Sequence, residues 1–297
     1  MTSIFSSISV KFQRAFSLRG FLKLIRFQNL LLIALTQYLI KLFIIDKPPF
    51  HLVDILDTQF FLLSLATVMV AAAGYIINDY YDVKIDIINK PERVVIGKSI
   101  RRRVAMGANV VINTLALLIA LYLGWRIFIV IIGAIFLLWL YSNRLKRLPF
   151  LGNLSIALLA ALTLFIIAVY YQAQEGVLYI YASFAFFITL IREIIKDMED
   201  MKGDQAFDCY TLPIMWGIRK TKLLLFVLIV SFITNLAVSF FFLDRWVVIY
   251  LAGIIFFPVA WLIIRLYRAD RVKDYAFLST FCKVIMLIGV LSIALHF

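Results

Sequence analysis

The sequence predicts an all-α membrane protein: a polytopic bundle of nine transmembrane helices around a central lipid-accessible cavity, in a single domain over 1–297. Three observations predict it. Hydrophobic residues make up 64% of the chain, whereas soluble domains hold about 45–50%, so the bilayer is the natural solvent. The apolar residues form long continuous runs of the length a spanning helix needs, not the short alternating segments of barrel strands. The basic residues sit in short strips between those runs, as orientation signals do.

The elements follow in order. Residues 1–26 carry Lys11, Arg14, Arg19, Lys23 and Arg26 with no clean apolar centre. They read as a basic amphipathic segment at the membrane interface, not a cleavable leader. Candidate spans lie at 28–45, 59–77, 104–122, 125–141, 151–171, 177–195, 221–242, 246–266 and 276–296. With nine spans, one side receives the N-terminus and the loops near 79–103, 142–150, 196–220 and 267–275. That side takes all 30 Lys and Arg except Lys41, Lys47, Arg126, Arg245 and Lys283. By the positive-inside rule it is cytoplasmic, which places the N-terminus inside and the C-terminus outside. The expected location is a bacterial or archaeal plasma membrane. The net charge of +13 is spread in strips, so it speaks for headgroups and excludes nucleic acid as a partner. The two cysteines, Cys209 and Cys282, have neither disulfide nor zinc-site spacing.

Two acidic clusters end the second and sixth spans on the basic side. In the first, Asp79, Asp82 and Asp86 stand at i, i+3, i+7, with Asn78 beside them. In the second, Asp197, Asp200 and Asp204 repeat that spacing, and Glu193 extends the row one turn back. Each set falls on one face of a helix. The matching rows suggest a pseudo-repeat of spans one to four and five to eight. Stacked like charges destabilise a helix, more so near a membrane, so something positive must offset them: nearby Lys and Arg at a solvated helix end, or divalent cations. Carboxylates at this spacing suit Mg²⁺, which prefers one or two carboxylates plus substrate phosphates. No EF-hand spacing supports calcium. Facing rows would grip a diphosphate through Mg²⁺, aided by Lys90, Arg93, Arg144, Lys146, Arg192 and Lys196. Apolar helices would hold a greasy substrate chain. The segments 87–103 and 205–219 are expected to close the mouth, with Gly97 and Gly203 as flexible points.

These residues resemble the UbiA-type intramembrane prenyltransferases. Residues 78–86 match that family's NDxxDxxxD motif, and Asn89, Lys90, Pro91, Arg93 and Gly97 look like its NKPxRP…G continuation, with Val94 in place of the second proline. Asp200 and Asp204 give its second DxxxD spacing, and 141–147 resembles its Y-S-x-x-L-K-R segment. The resemblance implies prenyl transfer from an allylic diphosphate to an acceptor through a carbocation, with Asn78, Asp82 and Asp86 serving one metal cluster and Asp200 and Asp204 the other. Asp79 and Asp197 are then further ligands or partners that orient a basic residue. Lys146 and Arg144 would lie near the diphosphate, and Asp82, Asp200 and Lys146 would carry the catalysis. The R-E-x-x-K-D-x-E-D-x-x-G-D form over 192–204 is similar to the branch that attaches geranylgeranyl chains to geranylgeranylglyceryl phosphate. The implied partners are a prenyl diphosphate donor, a lipophilic or phosphate-bearing acceptor and the lipid bilayer; Arg192 and Lys196 suit a phosphate on the acceptor. The form also occurs in homogentisate-type relatives, so an aromatic acceptor stays open. Two alternatives of other classes are a transporter with acidic cation sites and a membrane scaffold without catalysis.

Overall fold

The computed structural model describes residues 17–49, 51–241 and 245–296. Nine of its helices are long and apolar enough to cross a membrane: Phe27–Asp46, Val53–Asn89, Arg102–Leu123, Trp125–Asn143, Leu151–Tyr171, Gly176–Ala206, Leu212–Val238, Arg245–Arg268 and Val272–Leu295. No β-strand forms among the described residues; Ile96 and Ile100 make one isolated bridge. Residues 1–16 of the basic N-terminal segment lie outside the described residues. From Ser17 onward that segment is a short helix, Leu18–Leu24, capped by the Ser17 hydroxyl, which accepts from the Gly20 amide at 3.3 Å. Its Leu24 is buried with Val95, Ile96 and Ile100, so this helix docks on the loop after the second span.

The second and sixth spans are the inner elements. In each, 61% of the span window is buried, against 22–39% in the other seven. Each packs on the spans before and after it in sequence, and the two touch each other. They are also the longest: the continuous helices are Thr58–Asn89 and Gly176–Ala206, of 32 and 31 residues. About 20 residues cross the hydrocarbon, so both helices run on past it as regular helix. Hydropathy placed the span ends at 77 and 195, where the apolar run stops; the helices continue because the polar rows beyond have the same helical period. The outer perimeter carries exposed Leu118, Leu121, Phe136, Val227, Val230 and Phe257, as expected where lipid is the solvent.

The far end of the bundle is closed by a charged knot. Lys41 is 2% exposed, and its ammonium donates to Asp46 at 2.5 Å and to the Asp54 carbonyl at 2.7 Å, with Asp57 at 3.8 Å. Asp57 also accepts from the Tyr171 hydroxyl at 3.3 Å and caps the second helix through the Gln59 amide at 2.9 Å. Removing one partner of such a pair strands the other charge. Lys41→Ala is therefore expected to cost about 3 kcal/mol of stability. A thermal melt in detergent identical to the parent protein would show that the knot contributes nothing.

Candidate active site

The acidic rows are held in register by ordinary helix chemistry. The second helix runs unbroken from its Asp57 cap to Asn89 and stops there because Pro91 cannot continue it. Its last turns carry Asn78, Asp82 and Asp86 into a cavity of about 660 Å³. The sixth helix brings Asp200 and Asp204 into the same cavity, and Asp82 and Asp204 are 5% and 6% exposed. The rows therefore meet across one mouth.

Asn89 ties them together. Its amide nitrogen donates to the Asp200 carbonyl at 2.9 Å, and its amide oxygen accepts from the Gly203 amide at 2.8 Å. A Cβ at Gly203 would run into that Asn89 side chain. Gly203 is thus a point of close helix approach inside the sixth helix, not the flexible hinge its sequence position suggested. Gly97 does need its lack of a side chain, with φ at 88°. Its surroundings, Val94, Val95, Ile96 and Ile100, are packed down and buried, so the segment is anchored by apolar contacts.

The structure separates residues that spacing alone leaves equivalent. Asp79 lines the same cavity as Asp82 and Asp86 but accepts from Arg26 at 3.0 Å. Asp197 accepts from the Asn153 amide at 2.7 Å. Both orient neighbours. Lys90 bonds Glu199 at 2.8 Å and Asp200 at 2.7 Å, and Lys146 pairs with Asp82. Burial works against the Lys146 charge, but Asp82 and then Tyr141 outweigh it and raise its pKa above the ordinary lysine value, so the group stays protonated. Arg93 lines the rim, largely exposed, at 3.8 Å from Glu92. Arg144 does not line the cavity: it is exposed where the fourth span ends, and the turn Leu145–Arg147 that follows carries Lys146 inward instead.

The residues present fit a hard cation. The buried amide oxygen of Asn78 has no hydrogen-bond partner among the described residues and lines the cavity with Asp82 and Asp86. No three acidic, histidine or cysteine side chains among the described residues gather tightly enough to chelate one ion by themselves. An oxygen-only donor set with few protein ligands is what Mg²⁺ takes when phosphate and water complete its shell.

A second cavity of about 350 Å³ runs deeper and is lined by Leu32, Ile33, Ala134, Leu138, Ile188 and Met286, among others. Both cavities share Arg26, Asn29, Asn78, Tyr141, Arg192, Glu193, Lys196 and Lys283 in their walls. A polar mouth therefore opens into an apolar pocket through a ring of polar side chains, four of the eight cationic. Sequence reasoning missed Asn89, Asn153 and Lys283 as lining residues. Lys283 had a readable signal, a lone charge within an apolar span; it lines the cavity of the acidic rows and does not belong with the far-side residues.

The model of the UbiA prenyltransferase family matches residues 35–287. The chain is 41% identical over 163 residues to the digeranylgeranylglyceryl phosphate synthase of Pyrococcus horikoshii, covering 55% of this chain and 58% of that protein. It is 32% identical over 236 residues to the enzyme of that name from Methanosphaera stadtmanae, covering 78% and 85%. The chain thus spans a little over half the length of the Pyrococcus relative and most of the Methanosphaera one. A solved structure of digeranylgeranylglyceryl phosphate synthase superposes with a TM-score of 0.67 at 25% identity, covering 94% of this chain and 98% of that one. A UbiA homologue from Archaeoglobus fulgidus bound to GPP and Mg²⁺ has the same fold, with a TM-score of 0.67 at 18% identity over 93% and 99%. The match across nearly the whole bundle, on a fold with two facing acidic rows, places this chain in the UbiA prenyltransferase family.

Proposed function

We propose that this protein transfers a prenyl chain, geranylgeranyl by its similarity to its relatives, from an allylic diphosphate to the hydroxyl of a prenylglyceryl phosphate. The observation that carries the reading is the continuous passage from acidic mouth, through a polar, half-cationic ring, to apolar pocket. Asn78, Asp82 and Asp86 from one helix and Asp200 and Asp204 from the other would hold Mg²⁺. When bound, Mg²⁺ neutralises the charge that grows on the diphosphate as its bond to carbon breaks.

The chain's own groups do the rest. Lys146, kept protonated, fixes a positive charge beside the leaving diphosphate. Leu32, Ile33, Leu138 and Met286 enclose the hydrocarbon and exclude water, which would otherwise capture the allylic cation as an alcohol. The acceptor oxygen then bonds to C1 of the chain and its proton is released. Arg192 and Lys196, both on Glu193, suit a phosphate on the acceptor better than a neutral ring. The distribution of basic residues favours a site facing the cytoplasm.

The test is a radiolabelled geranylgeranyl diphosphate assay in membranes, offering prenylglyceryl phosphate, 4-hydroxybenzoate and homogentisate side by side. A lipid ether product that disappears on chelation of Mg²⁺ is expected. Label transferred to an aromatic acceptor alone would overturn the glyceryl phosphate reading and leave the family assignment standing.

A further inference from the structure

The ninth span brings one charge into the bundle, and its surroundings are unusual. Lys283 lines both the polar mouth and the apolar pocket. None of the described residues forms an ion pair with it, and Arg26, Arg192 and Lys196 line the same two cavities beside it. Two of the acids in these walls are already engaged. Asp79 holds Arg26 at 3.0 Å, and Glu193 holds both Arg192 and, at 3.3 Å, Lys196. Those two carboxylates thus pair with three of the four cations and leave Lys283 without an ion pair among the described residues. The Arg192 Nε is buried and has no hydrogen-bond partner among the described residues. Uncompensated like charges at the edge of an apolar pocket are costly, and an anion with several oxygens would relieve them.

We propose that Lys283, with Arg26, Arg192 and Lys196, forms a subsite for the phosphate of the acceptor lipid and so selects a phosphate-bearing acceptor over a neutral one. This deepens the glyceryl phosphate reading and rests on it. The position agrees with the chemistry. The cations stand at the boundary between mouth and pocket, where a lipid's polar head meets its hydrocarbon, whereas Lys146 pairs within the acidic rows. The two arginines offer planar forks that match phosphate oxygens, and Lys283 closes the set from the ninth span as a point charge. The donor's diphosphate is the other source of such oxygens, and the kinetics separate the two.

The experiment uses the full chain in detergent with Mg²⁺, comparing the parent protein with Lys283→Met and Lys283→Arg. In Lys283→Met the KM for prenylglyceryl phosphate should rise about tenfold, the donor KM should move less than twofold, and the preference for that acceptor over the matching prenylglycerol should shrink about tenfold, as for loss of one charged contact to phosphate. Lys283→Arg should recover most of both effects. Thermal shift on adding the phosphate acceptor without Mg²⁺ should shrink in the Met variant as well, a readout that does not depend on turnover. An unchanged acceptor KM and preference would overturn the subsite, as would an equal rise in the donor KM. Should Lys283→Met not fold, Lys283→Gln provides the same comparison. If the parent protein turns over aromatic acceptors but no glyceryl phosphate, the underlying reading fails and the subsite with it. If it uses glyceryl phosphate and Lys283→Met behaves like the parent, only the subsite fails.

Discussion

Asp82→Asn and Asp200→Asn, made separately, are each expected to lower Mg²⁺-dependent prenyl transfer by at least about 10³-fold, or about 4 kcal/mol of barrier. The reason is that each helix offers few oxygen ligands and, in the proposed function, the two rows would act on one diphosphate, so neither could substitute for the other. The amide is the better substitution at Asp82. This carboxylate is buried and pairs with the half-buried Lys146. Truncation to alanine would strand that ammonium and cost about 3 kcal/mol or more of stability, whereas an amide oxygen still accepts from it. Asp82→Ala should therefore lose both activity and melting temperature, and Asp82→Asn mainly activity. Near-parental turnover in either asparagine variant, at saturating Mg²⁺, would remove the two-row site from consideration.

Gly203→Ala is expected to damage both the fold and the site by a single methyl group. The new Cβ occupies the space of the Asn89 amide. Either Asn89 swings out and both of its bonds, at 2.9 and 2.8 Å, are lost, or the two inner helices separate. Loss of the bonds costs about 1–3 kcal/mol where buried groups go unpaired. A shift of the rows near 1 Å would slow transfer about 10²-fold. The two changes should not add. Once Asn89 is alanine the collision is gone, so Asn89→Ala with Gly203→Ala should be no slower than Asn89→Ala alone. Fully additive losses across that cycle would show that the two residues act independently.

Much of this was legible in the sequence. Span number followed from run length and from the alternation of basic strips, because both are local properties of the chain. The acidic rows were legible because helical period turns spacing directly into a shared face. Sequence could not show which row members are already paired with a neighbour from another helix. Asp79 and Asp82 look alike until Arg26, 53 residues distant, is placed beside Asp79; likewise Asp197 and Asn153, 44 residues apart. Gly203 looked like a hinge because glycine has two uses, freedom and small size, and only a packed neighbour reveals which applies. Lys283 was assigned by counting along the ninth span, which measures depth poorly where a helix borders a water-accessible mouth. Arg144 and Lys146 are two residues apart, and a single turn of backbone sends one outward and the other in.

The Asn89 tether also bears on traffic. Two bonds tie the rim between the second and sixth helices, so the long prenyl tail of the proposed substrate would not enter there. The first and ninth spans both wall the greasy pocket, yet the first meets the ninth chiefly at the far end, near the turn Ser292–Leu295. Long-tailed molecules would then come and go sideways, through the seam between those two helices, without ever leaving the oily phase. The water-soluble by-product would exit by the inner door.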